Sequence, residues 1–273
     1  MPNTLQAISI GAMIPAGNYG KVFSSHTKAV NFIYKNQVIT ICSRHICAGP
    51  FRIVLSESDV SALDSFSLQH GILQIAGQVC NTSTANIYQI NCLQPVLDAQ
   101  MRRIRIKKCF MHYLDKVPPF GVGALLRAEE GNLKGFELAL AKSYKQGQKL
   151  FSEENYSEGI KCFKGKGYGL TPGGDDFLAG YILGLAYRQK MGKKDLSEIL
   201  AVLLYESLSE NYLSNTFLIQ AAQLLPNRDW LDFFEALESN TKDPLPFMQQ
   251  ISALGASSGY DTLSGFFAAW EMI

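Results

Sequence analysis

The feature that most constrains the fold is a change of residue pattern near residues 93–95. Before it, short β-branched and aromatic runs alternate with Gly, Pro, Asn and Ser. After Pro95, most of the chain has helical spacing and good helix formers. Strands followed by helices are typical of an α+β protein rather than of an alternating α/β one. We therefore predict an N-terminal small β barrel or sandwich, in a β-rich domain over residues 1–94, followed by a mainly α-helical domain over residues 95–273.

The individual elements follow from local pattern. Four β-rich runs predict strands, and they lie at 38–42, 51–55, 71–76 and 85–90. Nine segments predict helices, and they lie at 96–114, 133–149, 153–163, 175–190, 195–209, 213–225, 229–239, 246–254 and 260–272. Pro118 and Pro119 break the chain after the first helix.

Composition excludes several classes of protein. Apolar residues make up 47% of the chain and the net charge is +1, which is typical of a globular protein and gives no support for binding nucleic acid or a membrane surface. The basic run at 102–108 is interpreted as a solvated helix face. The sequence contains no long apolar span and its first residues do not resemble a signal peptide. Six scattered cysteines without a CxxC pair indicate reduced thiols, so we expect a cytoplasmic protein.

A glycine-rich loop is the most specific local feature. Residues 165–174 contain five glycines in ten positions, and the next residues begin a helix. Glycine lets backbone N–H groups approach a ligand closely, and a helix N-terminus offers unpaired N–H donors and a positive dipole end. Together they favour a small anion, although the loop is not a Walker motif. The predicted substrate-binding residues of this loop are Lys166, Gly167, Gly169, Thr171 and Gly174.

A second loop repeats this pattern 85 residues further on. It runs through residues 255–265, again from Gly and Ser into a helix. Small residues on one face of each helix favour a close approach, so we predict that the two helices pack together and that their N-termini converge on one site. The predicted substrate-binding residues here are Ser257, Ser258 and Gly259.

Three aspartates in the first turns of these helices are the predicted catalytic residues. They are Asp175, Asp176 and Asp261. Acidic residues in a first turn also interact favourably with the helix dipole, and Gly-rich caps of buried helices are the structural alternative, which stays open. Thr216 is a further candidate for substrate binding, with capping by Ser214 or Asn215 as its alternative.

The two loops resemble a known family. The pattern Gly165-x-Gly-x-Gly-Leu-Thr-Pro-x-x-Asp-Asp-x-Leu-x-Gly180 and its partner Leu254-Gly255-x-x-Ser-Gly-x-Asp-Thr-Leu-x-Gly265 are similar to the bacterial family typified by AllH, a subunit of oxamate carbamoyltransferase. Weaker similarities to the same family lie at 21–25, 29–32, 49–51 and 215–216. The sequence departs from the family pattern at Gly173, where Ser is usual, and at Ala256, where His is usual.

The resemblance implies a role in nitrogen salvage from allantoin, in which oxalurate and phosphate are interconverted with oxamate and carbamoyl phosphate. It also implies partner subunits, because that system needs three gene products. Backbone amides would hold the phosphate or carboxylate, and an aspartate would accept a hydrogen bond from the NH₂ group. Whether this chain catalyses alone, and whether it is a divergent relative with another small anionic substrate, stays open.

Two other functions are kept beside this one. One is a Mg²⁺-dependent hydrolase like the ADP-ribosylglycohydrolases, with Asp175, Asp176 and Asp261 as metal ligands. Outside that alternative the sequence assigns no metal and no cofactor. The other is a non-catalytic subunit that binds an anion and serves as a scaffold.

Overall fold

A computed structural model describes residues 5–35, 37–90, 93–192 and 194–272. The chain divides into two compact units. The β unit comprises Met1–Asn91 and Pro226–Arg228, and the helical unit comprises Cys92–Leu225 and Asp229–Ile273. Strands come first and helices follow, so the predicted α+β class is confirmed.

The β unit contains two sheets. Its strands are β1 (Ala7–Gly11), β2 (Gly17–Tyr19), β3 (Val22–His26), β4 (Ala29–Tyr34), β5 (Gln37–Cys42), β6 (Arg52–Leu55), β7 (Phe66–Gln69), β8 (Ile72–Ile75), β9 (Gln78–Val79) and β10 (Asn86–Tyr88). One sheet has the strand order β10-β1-β6-β5-β4-β3 and the other has the order β2-β7-β8-β9. The β1–β10 and β5–β6 pairs are parallel, so they are not hairpins.

One apolar core lies within the β unit and draws on both sheets. Phe32 and Ile41 come from the first sheet, while Tyr19, Phe66 and Leu73 come from the second. The Tyr19 and Phe66 rings stack with centroids 4.1 Å apart. The sheets are not closed barrels, and the unit is sandwich-like, which is the second of the two predicted forms.

The helical unit contains ten helices among its described residues. They are α1 (Ala99–Leu114), α2 (Val122–Arg127), α3 (Gly135–Ser152), α4 (Tyr156–Lys161), α5 (Gly173–Met191), α6 (Ser197–Ser207), α7 (Tyr212–Ala222), α8 (Arg228–Leu237, whose first residue belongs to the β unit), α9 (Leu245–Ser252) and α10 (Ser258–Ala269). All nine predicted helices are found. The tenth helix, α2, has six residues, follows the Pro118-Pro119 break and is not predicted by the sequence pattern.

Helices α5 and α10 pack closely, as predicted. A Cβ added at Gly180 would overlap the Thr262 carbonyl, and one added at Gly265 would overlap the Phe177 carbonyl. A Cβ at Gly184 would lie 2.6 Å from the Ala269 Cβ. These glycines therefore allow the two backbones to touch, with α5 buried along most of its length.

The interpretation of the basic run as a solvated face is wrong for one residue. Arg102 is only 3% exposed and forms an ion pair with Glu238. The Glu238 carboxylate also accepts hydrogen bonds from the Val96 N–H at 3.0 Å and from the Tyr187 hydroxyl at 2.9 Å. The charge of Arg102 is thus matched inside the unit, which a one-dimensional pattern does not reveal.

Two further expectations concern thiols and membranes. Cys42, Cys80 and Cys109 are buried free thiols, Cys47 and Cys162 are partly exposed ones, and Cys92 lies outside the described residues. Within the described part of the chain, none of the helices combines the length and the apolar character that crossing a bilayer requires.

Candidate functional site

Three helix N-termini meet around the carboxylate of Asp261. This side chain starts in the first turn of α10 and is 1% exposed. Its Oδ1 accepts a hydrogen bond from the Val122 N–H, the first of α2, at 2.6 Å. Its Oδ2 lies 2.9 Å from where a Cβ on Gly173, the first residue of α5, would stand. The predicted convergence of the α5 and α10 N-termini is therefore present, with α2 as a third member.

Asp176 lies in the first turn of α5 and interacts with the hydroxyl of Ser258, the first residue of α10. It is 5% exposed, and its Oδ2 accepts a hydrogen bond from the Thr171 hydroxyl at 3.1 Å. Burial raises the pKa of Asp176 well above its ordinary value, and the negative charge of Asp261 adds to the rise. Hydrogen bonding from the hydroxyls of Ser258 and Thr171 opposes it without cancelling it. The net shift favours the protonated form of the Asp176 carboxyl.

Asp261 shares this electrostatic environment. Burial raises the pKa of Asp261 to about 6, against lowering contributions from the Val122 N–H and the Ser257 hydroxyl. Asp176 and Asp261 thus form a pair of interacting buried carboxyls, and both pKa values are shifted in the direction that favours the protonated form. A carboxyl in its protonated form donates a hydrogen bond, so the upward shift reduces the repulsion that the pair exerts on an anion.

Asp175 leaves one carboxylate oxygen unsatisfied. The residue is 2% exposed, and its Oδ1 accepts a hydrogen bond from the Gly165 N–H at 2.6 Å, which closes the glycine loop onto α5. Its Oδ2 is buried and has no hydrogen-bond partner among the described residues. A buried polar atom without a partner costs free energy, so it marks a position where a donor from a ligand would be stabilising.

The glycine loop has part of the expected anion-binding geometry. Gly167 and Gly169 have φ of +113° and +99°, values that other residues rarely adopt. The Gly174 N–H, however, donates to the Lys166 carbonyl at 2.8 Å, so it is already used within the loop. Within the part of the chain that the structure describes, the N–H groups of Gly167, Gly169 and Gly173 donate to no protein acceptor.

Lys166 is held on the α3 side of the loop. Its ammonium donates to the Ser143 hydroxyl at 2.7 Å, and its carbonyl accepts a hydrogen bond from the Tyr144 hydroxyl at 3.0 Å. The structure therefore gives this lysine a neutral partner rather than one of the aspartates. Its role as a contact for the substrate stays a prediction.

The second loop presents hydroxyls to the aspartates. The Ser257 and Ser258 side chains interact with Asp261 and Asp176, respectively. The Gly259 N–H donates to the Leu254 carbonyl at 3.0 Å, and a Cβ at Gly259 would overlap the Ile251 carbonyl. Gly259 thus serves close packing, as the capping alternative proposes.

Thr216 is buried on α7, a helix that packs on α5. It is 2% exposed, and its hydroxyl donates to the Tyr212 carbonyl at 2.8 Å. Capping of α7 by Ser214 or Asn215 is wrong, because the Asn211 side chain accepts from the N–H groups of Leu213 and Ser214. The Asn211 amide also donates to the Leu170 carbonyl at 2.8 Å, which joins α7 to the glycine loop.

Sequence reasoning missed the start of α2. The Val122 N–H donates to Asp261 Oδ1 at 2.6 Å, and a Cβ on Gly121 would lie 3.1 Å from the same oxygen. The sequence does contain a third glycine-containing segment, Gly121-Val122-Gly123, directly after the proline break. The helix that starts there was not predicted, because six residues are too few to show helical periodicity.

Metal binding at these residues would require several free oxygen ligands around one point. Among the described residues, no group of three or more His, Cys, Asp or Glu side chains is arranged to hold a metal ion. Asp175 and Asp261 each use one oxygen for a backbone N–H. The three aspartates therefore do not fit the ligand set that the Mg²⁺ alternative requires.

The fold and site define an α+β protein in which buried carboxyls lie at converging helix N-termini. Residues 163–270, which include both glycine loops, match the model of the family described as oxamate carbamoyltransferase subunit AllH. The resemblance deduced from the motifs is confirmed for this segment, which spans 108 of the 273 residues. No curated protein and no solved structure matches the chain.

Proposed function

We propose that the chain is a subunit of an oxamate carbamoyltransferase-type enzyme, or a divergent relative, that binds a small anionic substrate where α2, α5 and α10 begin. The family match over residues 163–270 supports the class of protein. The observation that carries the site is the unpartnered, buried Oδ2 of Asp175 beside helix N-termini. Carbamoyl phosphate, oxamate and oxalurate each combine an anionic end with an NH₂ or N–H donor.

The substrate would use two kinds of group at this site. Its anionic end would accept hydrogen bonds from backbone N–H groups such as that of Gly173, with the positive end of the α5 dipole behind them. Its NH₂ group would donate to Asp175 Oδ2 and so satisfy that oxygen. The raised pKa of Asp176 favours its uncharged form, which weakens the objection that three aspartates would repel an anion.

Carbamoyl transfer needs a defined set of bond changes. The amide nitrogen of oxamate bonds to the carbamoyl carbon, the bond from that carbon to the phosphate oxygen breaks, and the amide nitrogen loses one proton. Donors aimed at the carbamoyl oxygen stabilise the charge that develops there. In the proposed site Asp175 positions the NH₂ group, while partner subunits complete the enzyme, as the word subunit in the family description suggests.

The proposed site lies in one of the two predicted domains. We propose that the site is contained in the domain over residues 95–273, because all three aspartates belong to the helical unit. The domain over residues 1–94 is proposed as a separate module, and its function is not assigned.

The test is ligand binding by Asp175→Asn. Since the Gly165 N–H needs an oxygen at the Oδ1 position, the new NH₂ group must occupy the Oδ2 position, where it opposes a donor of the ligand. A thermal-shift panel would use carbamoyl phosphate, oxamate, oxalurate and phosphate, singly and in pairs. A ligand at one hundred times its Kd stabilises the native state by about 2.7 kcal/mol.

The matched control is Asp98→Asn, because Asp98 caps α1 through the Met101 N–H and asparagine caps equally well. We expect a ligand-induced shift in the wild type and in Asp98→Asn, and its loss in Asp175→Asn. An equal shift in all three proteins would place the ligand elsewhere. No shift with any ligand would contradict binding by this chain alone, and the same panel with the partner subunits added would then decide whether it binds at all.

A further inference from the structure

The helical unit contains a cavity that the proposed function does not use. Its volume is ≈ 690 Å³, within the range of small-molecule sites. It is lined by parts of α3, α5 and α10 together with residues 194–199. Arg188 on its wall lies twelve residues beyond Asp176 on the same helix, which is about 18 Å along the axis.

One wall of the cavity is aromatic. Phe151 and Tyr181 pack with ring centroids 4.7 Å apart, and Phe151 and Tyr156 with centroids 6.0 Å apart. Phe177 lies behind this wall and is fully buried, with its ring 6.4 Å from that of Tyr181. A surface of several rings of this kind binds a flat, apolar body.

Two phenol hydroxyls on this wall are available to a ligand. Tyr181 is 8% exposed, so it is more than nine-tenths buried, and it lines the cavity. In the described part of the chain, neither the Tyr181 hydroxyl nor the Tyr156 hydroxyl makes a hydrogen bond. The Tyr181 hydroxyl is open to solvent rather than buried, so an acceptor on a ligand can take the place of water there.

The charge around the cavity favours an anion. Its described lining includes the cations Lys145, Lys149, Arg188 and Lys194 against the two acids Glu154 and Glu271. The guanidinium of Arg188 donates to the Ala269 carbonyl, lies 3.6 Å from the Glu271 carboxylate and lies 5.6 Å from the centre of the Trp270 ring. Glu271 partly matches its charge, yet the guanidinium has more donors than these contacts use.

From the cavity volume, the aromatic wall, the free phenol hydroxyls and the excess of cations, we propose that this cavity is a second ligand site, which takes a planar aromatic anion such as an aromatic carboxylate, sulfonate or phosphate. The ring rests on Phe151 and Tyr181. The anionic group faces Arg188 and Lys149 and accepts from the Tyr181 hydroxyl. This ligand class differs from the small anion proposed for the aspartate site.

The test is a titration of the purified full chain with 8-anilino-1-naphthalenesulfonate, followed by dye fluorescence. The neutral analogue N-phenyl-1-naphthylamine has the same rings without the sulfonate. We expect saturable binding of one dye per chain, a rise in Tm with dye, and at least tenfold weaker binding of the neutral analogue. Equal binding of both compounds, or a fall in Tm, would overturn the proposal, since either result describes nonspecific apolar contact.

Two lysines of α3 make a matched pair for charge reversal. Lys149 lines the cavity, whereas Lys142 does not, although both side chains are exposed and each forms one long ion pair of 3.8–3.9 Å. Lys149→Glu and Lys142→Glu change the net charge equally. At about 0.15 M salt the Debye length is about 8 Å, so only the nearer charge should act strongly. We expect roughly five- to tenfold weaker dye binding for Lys149→Glu and less than a twofold change for Lys142→Glu.

Tyr181→Phe tests the hydroxyl separately. Because the hydroxyl has no protein partner, its removal should leave Tm unchanged while it weakens dye binding by roughly three- to tenfold. Either of two results would show that the dye binds outside the cavity. One is an equal effect of the two lysine variants on dye binding. The other is unchanged dye binding in both Tyr181→Phe and Lys149→Glu.

Discussion

The carboxylate of Asp261 joins α10 to α2 through a hydrogen bond of 2.6 Å from the Val122 N–H. One aspartate thus caps a helix other than its own, while its second oxygen lies against the first residue of α5. The bond places a charged group where three helix dipoles have their positive ends. The same burial that makes this arrangement possible raises the pKa of Asp261.

Asp261 should make stability depend on pH in a defined direction. Its folded-state pKa of about 6 lies above the ordinary value of 3.8, so the folded protein binds the proton more tightly. The stabilisation from this proton is complete below about pH 4 and is lost as pH rises through about 6. Relative to Asp261→Asn, the wild type should lose up to about 3 kcal/mol of unfolding free energy between pH 4 and pH 8. Urea denaturation at several pH values measures the difference.

Asp195, on the surface, provides a control whose pKa shift has the opposite sign. Hydrogen bonds from Ser197 lower the pKa of Asp195, so its contribution to stability is lost as pH falls. Asp195→Asn should therefore shift the pH profile slightly in the other direction. If Asp261→Asn and the wild type keep a constant difference from pH 4 to pH 8, the raised pKa of Asp261 is contradicted.

Gly265→Ala should destabilise the helical unit strongly. A Cβ at this position overlaps the Phe177 carbonyl and would come within 2.6 Å of the Tyr181 nitrogen, both of which are backbone atoms of α5. Because the backbone cannot rotate away, α5 and α10 must separate, at a cost of at least about 2 kcal/mol. Gly131→Ala is the control, because nothing lies within 4 Å of its added Cβ. Thermal unfolding of both variants gives the comparison, and similar Tm values would argue against the close crossing.

The sequence allowed much of this arrangement to be predicted. The pattern from Gly174 to Gly180 and from Gly259 to Gly265 indicated two small-faced helices with acidic first turns, because close packing demands small residues at helical spacing. It did not distinguish glycines with free amides, such as Gly167, from Gly174, whose N–H is used within the loop. That difference depends on which carbonyl the folded loop brings near, and this is a property of three-dimensional structure.

Charge pattern alone was misleading at Arg102. Its neighbours Arg103, Lys107 and Lys108 are exposed, as a solvated face predicts. Arg102 is buried because Glu238, 136 residues away, supplies its partner. A contact so distant in sequence leaves no local signal, and the same reason hid the bond between Asp261 and Val122.

Removing one member of this ion pair should be costly. Arg102→Met leaves the buried Glu238 carboxylate without its cation, which costs about 3–5 kcal/mol in comparable sites. The comparison is Lys108→Met, which breaks the exposed pair with Asp243, with an expected cost below about 1 kcal/mol. Chemical denaturation separates the two cases. A small effect of Arg102→Met would mean that the N–H groups of Val96 and Leu97 suffice to hold Glu238.

Tyr113 and Ser264 form a buried pair of hydroxyls next to the aspartate site, and removing one hydroxyl should cost more stability than removing the other. The Tyr113 hydroxyl bonds to the Ser264 Oγ, which also donates to the Tyr260 carbonyl at 2.8 Å. Tyr113→Phe leaves Ser264 with its carbonyl partner and should cost about 1 kcal/mol. Ser264→Ala leaves the Tyr113 hydroxyl, on a side chain that is 1% exposed, without this partner, and should cost about 1–3 kcal/mol.

The double variant distinguishes a true pair from two independent contacts. Once Tyr113 is Phe, no hydroxyl remains to be orphaned, so Ser264→Ala should add less than it costs alone, and the coupling energy should be at least about 0.5 kcal/mol. Additive effects would mean that the two groups do not depend on each other. Because Ser264 lies one turn beyond Asp261 on α10, a coupled result would also show that the first turns of α10 are fixed from behind as well as from α2.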